Sequence, residues 1–146
     1  MRGLFQAGAP NEALVRLTSY TRERLLGEHV PYAVEAHPEG DQAHLSAESA
    51  LYARIYIEGL FGIEPTGLAS FRVIPHLPQH WSRMQLDRVF AFGQLFDLHI
   101  ERIQSGAVHV DVKTAEDRES SQDVRDGQAF DISFGPPKLV VGREKR

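Results

Sequence analysis

Residues 84–112, MQLDRVFAFGQLFDLHIERIQSGAVHVDV, decide the fold class. Phe96, Leu98 and Ile100 alternate with Asp97, His99 and Glu101, which is the two-residue period of a strand with one face on a core and one in water. Val108, Val110 and Val112 alternate with His109 and Asp111 in the same way, and Gly93-Gln94 and Ser105-Gly106 supply turn residues between the runs. The stretch predicts an antiparallel β-meander. Phe90, Phe92 and, beyond the turn, Phe96 have the spacing of inward residues, so all three are expected to be buried.

On the C-terminal side, TAEDRESSQDVRDGQ (114–128) is polar and charged and predicts a flexible loop. FDISF (130–134) and KLVV (138–141) predict short strands separated by the break at Pro136-Pro137. On the N-terminal side, Phe71, Val73 and Ile74 predict a strand before a Pro75 to Pro78 turn. The period upstream is helical. NEALVRLTSYTRERLLG (11–27) places Leu14, Val15, Leu17, Thr18, Tyr20 or Thr21, and Leu25 roughly on one face and predicts a helix over about 11–26. AESALYARIYIEGLFG (47–62) predicts a second helix, antiparallel to the first, buried on more than one side and ended by Gly59 and Gly62. The expected fold class is α+β, a helical hairpin over 1–64 followed by an antiparallel β module over 65–146. Two amphipathic helices cannot bury both their faces alone, so exposed apolar surface and association through the helical face are expected.

Composition limits the function classes. With 42% hydrophobic residues in 146, the chain can build a real core. Its net charge is −4, and mixed signs along the chain leave no basic stripe for nucleic acid and no polybasic run for a membrane surface. Absence of cysteine excludes disulfides and thiolate metal sites. Met1 to Pro10 carries one arginine and no apolar run long enough for an export signal, which leaves localisation open between cytoplasmic and exported.

Chemistry concentrates in residues 28–46, between the two helices. Glu28, Glu35, Glu39 and Asp41 accompany His29, His37, His44, Gln42 and Ser46, while Pro31 and Pro38 fix φ along the connection. Glu39, between Pro38 and Gly40, can be presented to a cleft, with Glu35 and Asp41 nearby to raise its proton affinity. That suits a general base. The plainer reading is a glutamate that caps a turn or faces water. Glu35, Gln42, His44 and Ser46 offer the mixed donors and acceptors that a substrate rich in hydroxyls needs. His29, His37 and His44 match no compact metal-ligand spacing, and no cofactor is expected. Tyr32, Tyr52 and Tyr56 could stack on a sugar ring, although core packing is the commoner role. His76, His80 and Trp81 read as turn and packing residues.

HLSAESALYARIYIEGLFGIEPTGLASFRVIPHLPQHW (44–81), followed by FAFGQLFDLHI (90–100), resembles the closing segment of six-hairpin, (α/α)6-barrel glycoside hydrolases and phosphorylases. The pattern is a late barrel helix, G-L-x-G-I-x-P at Gly59, Leu60, Gly62, Ile63 and Pro65, a strand, P-x-L-P-x-x-W at Pro75, Leu77, Pro78 and Trp81, and a C-terminal β module. The similarity covers about residues 10–112. It implies the end of an (α/α)6 barrel, a glycoside or oligosaccharide substrate, and inverting cleavage of a terminal glycosidic bond. In the maltose-phosphorylase-like and 1,2-α-L-fucosidase-like branches, the loop before the last barrel helix holds the catalytic base or the phosphate-binding residues. PEGDQAHLS (38–46) occupies that position, so the resemblance carries the base role onto Glu39 and phosphate binding, in a phosphorylase, onto His44 and Ser46. A complete barrel has twelve helices and this chain has room for about two. The expectation is a C-terminal piece, inactive alone, whose general acid lies upstream; the alternatives are a phosphorylase of the same clan and a non-catalytic carbohydrate-binding or interaction module.

Overall fold

The computed structural model describes residues 1–24, 46–104, 106–125 and 127–135. These form three α-helices, one π-helix and seven strands in two antiparallel sheets. The coarse α+β class with an antiparallel β module therefore holds. The predicted strand KLVV and most of the polar connection 28–46 lie outside the described residues.

Helix α1 (Arg2–Gln6) is short and was not signalled by periodicity; it forms because Phe5 is wholly buried. Helix α2 (Pro10–Arg24) starts where proline fits the first helical position and has Glu12 in its first turn, near the positive end of the dipole. Its buried stripe is Ala13 and Leu17. Helix α3 (Ser46–Arg54) runs directly into a π-helix (Ile55–Leu60). The wider turn is closed by the Phe61 amide on the Tyr56 carbonyl at 2.9 Å, and it brings Leu60 and Phe61 into the core. Phe5 packs against Gly59 so tightly that a methyl there would meet its ring at 2.9 Å. α3 itself is not buried on more than one side as expected: Leu51 is 58% exposed. Among the described residues the buried positions cluster at the π-helix end, where α1 covers it.

Gly62, at φ +62°, turns the chain from helix into strand. β1 (Ile63–Gly67) and β2 (Ser70–Val73) pair with Ile63 opposite Val73, and β7 (Phe130–Ser133) joins the other side of β2 with Ile132 opposite Phe71. The Pro75 to Pro78 segment then crosses to the second sheet. It is held by Arg102, whose guanidinium donates to the carbonyls of Leu77 (3.0 Å) and Pro78 (3.2 Å). His76 is buried and Trp81 packs against the core, in keeping with packing roles.

The meander is the second sheet: β3 (Arg83–Ala91), β4 (Gln94–Arg102), β5 (Ala107–Thr114) and β6 (Glu119–Arg125), in that spatial order. Phe96, Leu98, Ile100, Val108, Val110 and Val112 are all buried, as the alternation requires. Phe71 of the first sheet stacks on Phe96 (centroids 5.2 Å) and on Phe92 (4.7 Å), with Phe134 against both Phe71 and Phe96, and this aromatic knot joins the sheets.

Two further expectations are corrected. The polar stretch 114–128 is not a loop throughout, because residues 119–125 form β6, an edge strand paired with β5. An edge strand draws most of its stability from backbone pairing and has only Val124 buried, so its composition carries no apolar period. Phe90 is not buried but 77% exposed. The β3–β4 register shifts between Leu86 and Val89, and the inserted residue moves the inward positions to Val89 and Ala91, which turns Phe90 outward.

Candidate functional site

Of the residues with predicted roles, Glu35, Glu39, Gln42 and His44 lie outside the described residues, and Ser46 is described only as the first residue of α3. What the structure does show is how the helices on either side of that connection are tied together.

The tie is made of hydroxyls and rings. Tyr20 of α2 stacks on Tyr52 of α3 with centroids 5.7 Å apart, and Tyr52 meets Tyr56 edge-on at 5.2 Å. The Thr21 hydroxyl donates to the Leu17 carbonyl at 2.7 Å, which uses its one hydrogen. Tyr52 Oη, 2.7 Å from Thr21 Oγ1, must therefore be the donor there, and Tyr56 must in turn donate to Tyr52 across 2.6 Å. The result is a directed chain, Tyr56 to Tyr52 to Thr21 to the α2 backbone. Burial pushes the Tyr56 phenol up to about 12, and donation to Tyr52 reinforces the shift by favouring the protonated form. Thr21 lies one turn before the end of α2, and Tyr52 is about 9 Å along α3 from Ser46 at 1.5 Å per residue.

A second set of charges fixes the π-helix. Glu58 accepts from Arg54 one turn earlier and from Arg2 of α1 at 2.6 Å. The Arg54 hydrogen bond holds the Glu58 carboxyl below its ordinary range, with Arg2 adding to the effect against the cost of desolvation. Glu58 is thus a structural anion. Sequence reading assigned it no role, although its i, i+4 spacing from Arg54 was a visible signal.

Tyr52 and Tyr56, read from sequence as ring-stacking or core residues, are half-buried and packed on one another. Among the described residues no group of three or more histidine, aspartate or glutamate side chains is placed to hold a metal ion. On the outer face of the meander, His109 Nδ1 lies 2.6 Å from Asp123, and His99 sits between Asp87 (3.5 Å) and Asp111 (3.9 Å). These are cross-strand pairs that stabilise the sheet.

No helix among the described residues is long and apolar enough to cross a membrane. No protein-family model, curated protein or solved structure matches the chain.

Proposed function

We propose that this chain is the C-terminal part of a glycoside hydrolase that cleaves a terminal glycosidic bond with inversion, with Glu39 as the general base and Glu35, Gln42, His44 and Ser46 as contacts to the sugar hydroxyls. In this reading α2 and α3 are the last hairpin of an (α/α)6 barrel and the two sheets brace its end. The observation that carries it is the directed hydroxyl chain from Tyr56 to Thr21. It ties α2 to α3, the helices between which the acidic connection runs, and a base that must hold a water in line needs such fixed supports. Val15 on α2 is 70% exposed and Leu51 on α3 is likewise open, which supplies apolar surface for neighbouring helices.

In an inverting reaction the base draws a proton from water while an acid about 6.5–9.5 Å away protonates the leaving oxygen. The test is hydrolysis of aryl glycosides and oligosaccharides by the full-length polypeptide that carries this segment. Glu39→Gln is expected to lower kcat by about 10²- to 10⁴-fold with the fold intact. Survival of activity in Glu39→Gln together with its loss in Glu35→Gln would move the base to Glu35. Turnover only with added phosphate would make the enzyme a phosphorylase instead.

A further inference from the structure

We infer that the outer face of the β3–β4–β5 sheet carries a second, non-catalytic saccharide site, a cavity that takes one pyranose ring between the Phe90 side chain and the charged groups of Arg88, Asp97, Lys113 and Asp117. The inference rests on these residues and stands whether or not the acidic connection is catalytic.

Four observations converge on the place. The cavity measures about 220 Å³ and is lined by Arg88, Leu95, Asp97, Lys113, Thr114 and Asp117 among others. That is below the range of drug-sized pockets and suits a single small ring. Arg88 and Asp117 are two of the three non-glycine residues at positive φ among those described, at +55° and +57°. Asp117 closes the β5–β6 turn, where an aspartate takes this conformation readily. Arg88 sits at the β3 bulge, where a left-handed position is usually filled by glycine, so an arginine is held there against its backbone preference. Its amide is held by Asp97 Oδ1 at 2.6 Å. Among the described residues its guanidinium has no partner.

The ligand class follows from the charges. Two cations and two carboxylates line the cavity, so a simple anion would meet Asp97 and Asp117 and a simple cation would meet Arg88 and Lys113. Neighbouring hydroxyls on a sugar ring both donate and accept, and each can bond one cation and one carboxylate. Lys113 already reaches Asp117 at 3.2 Å, which leaves the second oxygens of both aspartates and the Arg88 fork for the ring. Phe90 completes the site. It is not itself a lining residue but stands directly opposite Leu95, which is, and its outward ring offers the flat apolar surface on which the C–H face of a pyranose packs. The β3 bulge turns this phenylalanine outward, on the face that carries Leu95 and Asp97.

The test is a residue-resolved ¹H–¹⁵N titration of the chain with D-glucose, D-galactose and D-mannose, each up to about 100 mM, well above the dissociation constant of a weak millimolar site, with sodium phosphate run separately. At least one sugar is expected to give saturable shifts in the amides of Arg88, Phe90, Leu95 to Asp97 and Lys113 to Asp117. Arg88→Gly removes the guanidinium while suiting the left-handed backbone, so it should keep or raise Tm and weaken binding about tenfold or more. Phe90→Ala should weaken it similarly. Shifts confined to residues 28–46 would place sugar binding elsewhere and overturn the inference. So would shifts from phosphate alone, or sugar affinity unchanged in both variants.

Discussion

Gly62→Ala tests the joint on which the helical and sheet layers depend. Gly62 has φ +62°, and a Cβ built on it falls 1.9 Å from the Ile74 carbonyl oxygen and 2.6 Å from its carbon. Both are backbone atoms, so no rotamer change can relieve the clash. The Ile74 amide donates to Gly62 O at 2.9 Å and the His76 amide to Leu60 O at 3.0 Å, and making room for a methyl must pull these two segments apart. Left-handed alanine costs about 1–2 kcal/mol, and two weakened backbone hydrogen bonds cost about 0.5–1.5 kcal/mol each. Their sum is about 2–5 kcal/mol, a large share of the 5–15 kcal/mol typical of a domain. Gly106→Ala is the control. Gly106 is also left-handed at φ +75° but has open space where a Cβ would go, so only the conformational part, about 1–2 kcal/mol, should appear. Urea unfolding followed by circular dichroism measures both, with a slope unchanged from wild type. Equal destabilisation by the two alanines, or less than about 1 kcal/mol at Gly62, would refute the close approach of the 60–62 and 74–76 segments.

Tyr52→Phe removes both the donor to Thr21 and the acceptor for Tyr56, and should destabilise by about 1–3 kcal/mol in urea unfolding while lowering the Tyr56 phenol pKa toward 10, the ordinary value, in an ultraviolet phenolate titration. The folded pKa of Tyr56, about 12, lies above its ordinary value. Its contribution to stability is therefore full below pH 10 and is lost as pH rises through 12, which Tm measured across that window should show in wild type and not in Tyr56→Phe. Val124→Lys should cost more than about 2 kcal/mol because it drives a charge into the core, whereas Ser121→Lys on the outer face of β6 should stay within about 0.5 kcal/mol; equal effects would return this stretch to a loop.

The meander was legible in the sequence because its strands bury one face each. Where Phe96, Leu98 and Ile100 point inward on β4 and Val108, Val110 and Val112 on β5, the period of two is unbroken. It failed at Phe90, since a bulge is set by backbone pairing with the partner strand and leaves no mark in residue type. It failed again at β6, where a single inward valine cannot generate a period. The helices were legible in extent but not in burial. The π-turn at Ile55 to Leu60 reflects packing of Phe5 on Gly59, a contact between positions 54 residues apart that no local pattern encodes. At the candidate site, the inward face of the first helix already included Tyr20 or Thr21, and Tyr52 and Tyr56 could be read as stacking or core residues, but the hydrogen-bond chain that joins Thr21 to them could not, because it links side chains 31 residues apart.

The stereochemical course of cleavage tests the central claim most directly. Proton NMR of the first-formed sugar, released from a glycoside by the full-length polypeptide carrying this segment, should show the anomer opposite in configuration to the substrate, with the signal reduced about 10²- to 10⁴-fold in Glu39→Gln. A product of retained configuration, or one formed at the wild-type rate by Glu39→Gln, would contradict it.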